Sequence, residues 1–240
     1  VNAAAYTAVD KAESEPSTAH QINAEAPGAL AKAAEKCDAA LIHISTDYVF
    51  SGEDTSPRSE TDAVGPLSVY GQTKLEGEQA IRAALDQHVI LRTARVYGVY
   101  GKGNFVKTML RLAKDRSELS VVSDQIGSPT WAKDRADAIT ELGEKLHENA
   151  EQSTGTYHFT SSGTASWHEF AEAIFEEAKV LGASLAVETV HPITTAEYPT
   201  PAERPSYSVL NNQKLAEHLG HTAPHWRVSL QQMLRQHLSN

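Results

Sequence analysis

Ala39-Ala40-Leu41-Ile42-His43-Ile44-Ser45-Thr46-Asp47 is the stretch on which the fold turns. The apolar run over 39–44 has the length of a buried strand, and the hydroxyls of Ser45 and Thr46 come where that strand should end. Before it, an alanine-rich segment over 17–36 carries Ile22, Ala26, Leu30 and Ala33 at helical spacing, with Ser17 or Thr18 placed to cap it. After a turn-rich segment over 51–66 (Gly52, Pro57, Gly65, Pro66), a helix is expected over 67–85. His88-Val89-Ile90-Leu91-Arg92-Thr93 reads as the next buried strand. This alternation predicts the α/β class, a doubly wound parallel sheet of Rossmann-like type. Open sheets of that kind bind ligands beyond the carboxyl ends of their strands, which is where Thr46 falls.

The expected helix contains Val69-Tyr70-Gly71-Gln72-Thr73-Lys74-Leu75-Glu76-Gly77-Glu78. Tyr70 and Lys74 are one helical turn apart and share a face. A nearby ammonium favours the phenolate and lowers a phenol pKa from its usual value near ~10. A phenol so tuned can give a proton to a carbonyl oxygen while hydride reaches the carbon. Thr46 supplies a hydroxyl able to hold the same oxygen. Taken alone, the Tyr-x-x-x-Lys spacing fits an ordinary amphipathic helix with an exposed lysine. The strand end carrying Thr46 just upstream tips the reading towards a carbonyl reductase.

Acidic residues outnumber basic ones, 31 to 21, for a net charge of −10. That balance argues against a nucleic-acid surface. Cys37 is the single cysteine, so no intrachain disulfide forms and a reducing cytoplasm is expected. No apolar run approaches the ~18 residues of a membrane span, and no signal-peptide pattern is present.

Beyond Val96 the texture changes. Helices are expected over 104–116 and 131–147, strands over 119–122 and 155–159, and a helix capped by Ser166 with Trp167, Phe170, Ala171, Ile174 and Phe175 on its apolar face. The proline-rich stretch 190–210 is expected to be irregular, with short helices near 211–219 and 227–238. The expected organisation is a dinucleotide-binding domain over 1–97, with helix 131–148 returning to it, and a smaller α+β substrate lobe over 98–130 and 149–240. His218, His221 and His225 are interrupted by Gly220 and Pro224 and lack a completing cysteine or carboxylate, so no metal site is assigned. His168-Glu169 is half of a zinc motif without its partner, and Arg111, Lys114 and Arg116 read as a solvated helix end or a diphosphate contact.

Four segments carry a family resemblance: Val1-Asn2-Ala3-Ala4-Ala5-Tyr6-Thr7-Ala8-Val9-Asp10, Ser45-Thr46-Asp47-Tyr48-Val49-Phe50, Val69 to Lys74, and Gly103-Asn104-Phe105. They resemble the extended short-chain dehydrogenase/reductases and, more narrowly, the dTDP-4-dehydrorhamnose reductase family; Tyr198-Pro199-Thr200-Pro201-Ala202 and Arg204-Pro205 extend the likeness towards the end of the chain. The resemblance implies reduction of the C4 keto group of dTDP-4-dehydro-6-deoxy-L-mannose to dTDP-L-rhamnose with NADPH or NADH. It makes Tyr70 the proton donor and a cofactor contact, Lys74 its tuner and also a cofactor contact, and Thr46 a partner of the substrate oxygen. Ala3, Ala4, Ala5, Tyr6, Thr7 and Thr93 would border the cofactor. Val9, Asp47, Tyr48, Arg95 and Asn104 are candidate substrate contacts, and Gly101-Lys102-Gly103 resembles a substrate loop.

Arg95 departs from the family, many of whose members have tryptophan there lining the sugar pocket; a guanidinium in that place leaves the exact sugar open. Some members bind Mg²⁺ through carboxylates across a dimer; no positions here match, and none is carried over. A homodimer is among the assemblies the resemblance allows. The resemblance also covers a non-catalytic alternative, the regulatory subunit of methionine adenosyltransferase, which has serine in the place of Thr46. No G-x-x-G-x-x-G occurs, and Val1-Asn2-Ala3-Ala4-Ala5 reads as the end of a central strand. The expectation is a chain lacking the glycine turn that would seat a cofactor pyrophosphate, and therefore weak cofactor binding and an exposed sheet edge.

Overall fold

A computed structural model describes residues 1–53, 55–101 and 103–239; of the glycine cluster at 101–103, Lys102 lies outside the described residues. The chain divides into two compact units, one of Val1–Thr93, Asp137–Phe159 and Thr200–Thr222, the other of Ala94–Ala136, Thr160–Pro199 and Ala223–Asn240.

The first unit is built on a parallel sheet in which Leu41–Thr46 pairs with His88–Thr93, and that strand with Gly155–His158. Asn2 adds a parallel bridge to His43 on the far side of Leu41–Thr46. All six residues of His88–Thr93 are buried, as expected of a central strand covered on both faces. The first strand begins two residues later than its apolar run suggested and takes Ser45 and Thr46 into its last turns of pleat.

The segment before it departs from expectation in an instructive way. Pro16–His20 and Ala26–Lys36 are α-helical, but Gln21–Glu25 between them is π-helical. Pro27 has no N–H to give the carbonyl of Asn23, and a widened turn absorbs the loss. The helix starts at Pro16 without a side-chain cap, so neither Ser17 nor Thr18 serves as one. Its buried face is not the row of larger apolar residues at helical spacing. Ile22 and Leu30 are exposed, while Ala19, Asn23, Ala24, Pro27, Gly28 and Ala31 are buried. Small residues won because the neighbouring helix Val69–Ala84 comes very close: a Cβ on Gly77 would overlap the Asn23 carbonyl, and one on Gly28 would sit 3.1 Å from Ala80.

The second unit has its own core, in which Tyr97, Val106, Leu110, Phe170, Ile174, Trp226, Leu230 and Met233 are buried together. Ser166 caps Trp167–Val180 through a full capping box with Glu169. The proline-rich stretch is more regular than its composition implied. Thr189–Ile193 pairs in parallel with Glu118–Val122, placing Pro192 opposite Val121. With a partner on one side only, the missing N–H of Pro192 costs nothing there.

Candidate active site

The site starts from strand ends. Thr46 and Thr93 are register partners at the carboxyl ends of adjacent parallel strands, and the Asn2–His43 bridge brings Ala3, Ala4 and Ala5 off the end of the next position along the sheet. Parallel strands all present this end to the same side, so three segments singled out from sequence converge at the place where such sheets bind ligands. The Ala3–Tyr6 backbone is held by side chains. Asn2 Oδ1 accepts from Ala4 N–H at 3.1 Å, and Asn23 accepts from Tyr6 N–H at 2.8 Å while donating to Tyr6 O at 3.1 Å. Ala3, Ala4 and Thr7 are exposed.

Thr46 ends its strand in extended conformation and caps the 3₁₀ turn Asp47–Val49, its hydroxyl accepting from Tyr48 N–H at 3.2 Å. The same hydroxyl donates to Asp47 Oδ1 at 3.0 Å. Holding a substrate oxygen therefore requires Thr46 to turn its proton away from Asp47, a single rotation of a hydroxyl. Asp47 is itself buried.

Tyr70 and Lys74 lie in the first two turns of Val69–Ala84, a helix capped by Ser68 through Gly71 N–H. The Tyr70 ring meets the Tyr48 ring edge to face, centroids 5.7 Å apart. This ring contact ties the phenol to the turn that follows Thr46 and brings three of the predicted residues into one neighbourhood. Lys74 is 1% exposed, against the amphipathic expectation of a solvated ammonium. Its Nζ donates to Ile44 O at 2.6 Å and lies 3.1 Å from His43 Nε2. Burial lowers the Lys74 pKa to about 8, with Glu78 one turn on pulling the other way. Burial also lowers His43 to about 3, helped by the neighbouring Lys74 charge, so His43 is neutral.

Beneath the pair sits a buried carboxylate. Glu78 accepts from Ser45 at 2.5 Å, from Arg92 at 2.9 and 2.7 Å, and from Arg82 at 2.8 Å. Burial alone would raise its pKa, but the Arg92 fork outweighs it and Glu78 stays ionised. Thr93 Oγ1 is buried with no hydrogen-bond partner. An unspent hydroxyl at a strand end fits a polar ligand group, and it suits the cofactor role expected of Thr93.

Val9, Asn104 and Arg95 stand on other elements. Val9 opens the short helix Val9–Ala12, next to Asp10, which pairs with Arg204 at 2.8 Å. Asn104 and Arg95 belong to the second unit. Asn104 caps Phe105–Ala113, its Oδ1 accepting from Lys107 N–H and its Nδ2 donating to Gly98 O at 2.7 Å. Arg95 has φ +46° and donates to Ala165 O and Gln125 O, both at 2.8 Å, with its guanidinium 4.2 Å from the Trp167 ring centre. The guanidinium thus braces its own unit. Sequence reasoning passed over Asn2, His43, Asn23 and Glu78, although a histidine inside an apolar strand and a glutamate one turn after Lys74 were both signals of buried polar contacts.

The chain matches the RmlD substrate binding domain family over residues 1–239. It is 48% identical to the dTDP-4-dehydrorhamnose reductase of Escherichia coli (strain K12) over 237 residues, 98% of this chain and 78% of that protein. Its structure is similar to that of a dTDP-4-dehydrorhamnose reductase from Clostridium acetobutylicum, with a TM-score of 0.90 at 42% identity, covering 100% of this chain and 80% of that one. It is also similar to the Bacillus anthracis dTDP-4-dehydrorhamnose reductase in complex with NADP, with a TM-score of 0.85 at 38% identity over 98% of this chain and 79% of that one.

Proposed function

The chain belongs to the dTDP-4-dehydrorhamnose reductase family, and from that premise we propose that it reduces the C4 keto group of dTDP-4-dehydro-6-deoxy-L-mannose to dTDP-L-rhamnose. The observation that carries the site assignment is the Tyr48–Tyr70 ring contact, which ties the helix of the phenol and the ammonium to the strand end of Thr46. When bound, NADPH or NADH supplies the hydride. Ala3 to Thr7, Thr93 and Lys74 hold that cofactor; the unpaired Thr93 hydroxyl and the small exposed side chains of Ala3 and Ala4 suit the task. Tyr70 gives its proton to the C4 oxygen, which Thr46 holds by a hydrogen bond. Lys74, while charged, favours the phenolate left behind.

The substrate is a nucleotide sugar, with Val9, Asp47, Tyr48, Arg95 and Asn104 as its candidate contacts. Among the described residues no helix is long and apolar enough to cross a membrane, and we assign the cytoplasm on the lone cysteine and the soluble substrate. The reductase naming of the relatives favours the enzyme over a regulatory subunit on the same scaffold. Consumption of NADPH with the dTDP-4-keto sugar, and dTDP-L-rhamnose as product, is the expected result. A purified protein that binds the nucleotide sugar yet consumes no NADPH or NADH would overturn the assignment.

A further inference from the structure

Asn2, His43 and Lys74 form a file of side chains whose proton positions are fixed from one end. Asn2 is locked by its backbone, its N–H donating to Ile42 O at 2.7 Å and its carbonyl accepting from Ile44 N–H at 3.1 Å. Its Oδ1 accepts from Ala4 N–H, a group that can only donate. The amide orientation is thereby decided, and Nδ2 faces His43 Nδ1 at 3.0 Å. An amide NH₂ only donates, so Nδ1 must accept, and a neutral imidazole with an accepting Nδ1 carries its proton on Nε2. That N–H points at Lys74 Nζ, 3.1 Å away.

Here the arrangement becomes selective between two states of the lysine. An ammonium has three donors and no acceptor, so facing Nε2–H it meets donor with donor. A neutral amine accepts from Nε2–H through its lone pair and still donates to Ile44 O at 2.6 Å. The other tautomer of His43 would welcome the ammonium but would set Nδ1–H against the Asn2 amide. We propose that Asn2 and His43 are positioning residues which, by holding the His43 proton on Nε2, set the pH above which Lys74 gives up its charge and hence the alkaline limit of the reaction.

This inference rests on the reductase reading for its functional consequence, not for its chemistry. The remaining charged groups around Lys74 do not supply the effect. Glu78 on its own helix favours the ammonium, and its charge is already shared with Arg92 of the neighbouring strand and with Arg82. Tyr70 stands one turn earlier on the same helix. The His43 N–H disfavours charge on Nζ by direct contact.

Two substitutions separate tautomer from charge. In Asn2→Asp the carboxylate still accepts from Ala4 N–H, but it draws the His43 proton to Nδ1 and leaves Nε2 to accept from the ammonium. Asn2→Ala frees the tautomer without adding charge. Nitrogen NMR of His43 in the whole chain should read Nε2–H in the wild type and Nδ1–H in Asn2→Asp. The Lys74 side-chain titration, followed by carbon NMR at Cε, should rise by about one pH unit in both variants. The alkaline limb of kcat/KM should move up with it. A wild-type His43 protonated on Nδ1 overturns the proposal, and so does a Lys74 titration unmoved in Asn2→Ala. The NMR readouts need no substrate, so a protein inactive on the dTDP-4-keto sugar would defeat the reductase reading while leaving this test intact.

Discussion

Gly71 lies so close to the carbonyl oxygen of Tyr48 that a Cβ at Gly71 would overlap it. The two residues are the points at which the Tyr70 helix rests on the turn after Thr46, so the missing side chain sets the distance between phenol and hydroxyl. The Tyr48 carbonyl is backbone and cannot rotate away. Gly71→Ala should therefore push the helix outward, destabilising the fold by roughly 1–3 kcal/mol. Because misplacement by about 1 Å can cost on the order of 10² in rate, kcat should fall further than stability alone explains. Thermal melts and kinetics on the same sample check this. Wild-type kcat in a folded Gly71→Ala protein would show that the seat does not set the geometry.

Tyr70→Phe keeps the ring and its edge-to-face contact with Tyr48 while deleting the proton. Turnover should drop by roughly 10² to 10⁴, the usual range for losing a general acid, with KM changed far less. Steady-state kinetics decide it. Near-normal turnover would remove Tyr70 from the chemistry.

Lys74 sets stability against function. Its pKa is about 8 in the folded chain, below the ordinary 10.5, so folding prefers the neutral amine. That contribution is fully present above 10.5 and is lost as pH falls through 8, so at pH 7 the buried ammonium opposes folding. Lys74→Met should consequently be more stable than wild type near neutrality, by about 1–2 kcal/mol once the lost bond to Ile44 O is offset, and much less active. The stability gap should close as pH rises above 8. Denaturation at pH 6.5 and 9.5 tests the trend; a variant less stable than wild type at both pH values contradicts it.

His43 and His158 make the fold acid-sensitive. Both are lowered to about 3 from the ordinary 6.5, each chiefly by burial. A base with a depressed folded pKa contributes stability that is present above its unfolded value and lost as pH falls towards the folded one. Stability should decline between pH 6.5 and 4.5, where most carboxylates are still ionised, by roughly 1.4 kcal/mol per pH unit for each imidazole. Glu60 and His221, both raised, work in the opposite sense, but His221 is more than half exposed and screened. Urea unfolding across that interval measures the slope. A flat profile from 6.5 to 4.5 would mean that these histidines are not buried neutral.

How much could be read in advance depended on whether an interaction was local. Strand His88–Thr93 matched its predicted bounds, and helix Val69–Ala84 came close, because their apolar spacing and the turn residues around them are short-range signals. The Ser166 cap was legible for the same reason: donor and acceptor lie three residues apart. The failures are long-range. The buried face of helix 16–36 was not legible, because the close approach of Gly77 and Gly28 to their neighbours rewards small residues over Ile22 and Leu30. The partners that Asn104 and Arg95 hold within the chain, Gly98 for the one and Ala165, Gln125 and Trp167 for the other, were likewise not legible from local sequence.

The sequence by itself determined the parallel α/β plan, the face shared by Tyr70 and Lys74, and Thr46 at a strand end, since periodicity and turn chemistry are properties of neighbouring residues. Only the tertiary structure decided the state of those groups. That Lys74 is buried, that His43 stands against it, and that Asn2 orients His43 from 41 residues away follow from strand pairing and helix docking. Desolvation and hydrogen-bond direction are set by what surrounds a side chain in space, and no local pattern of residues encodes them.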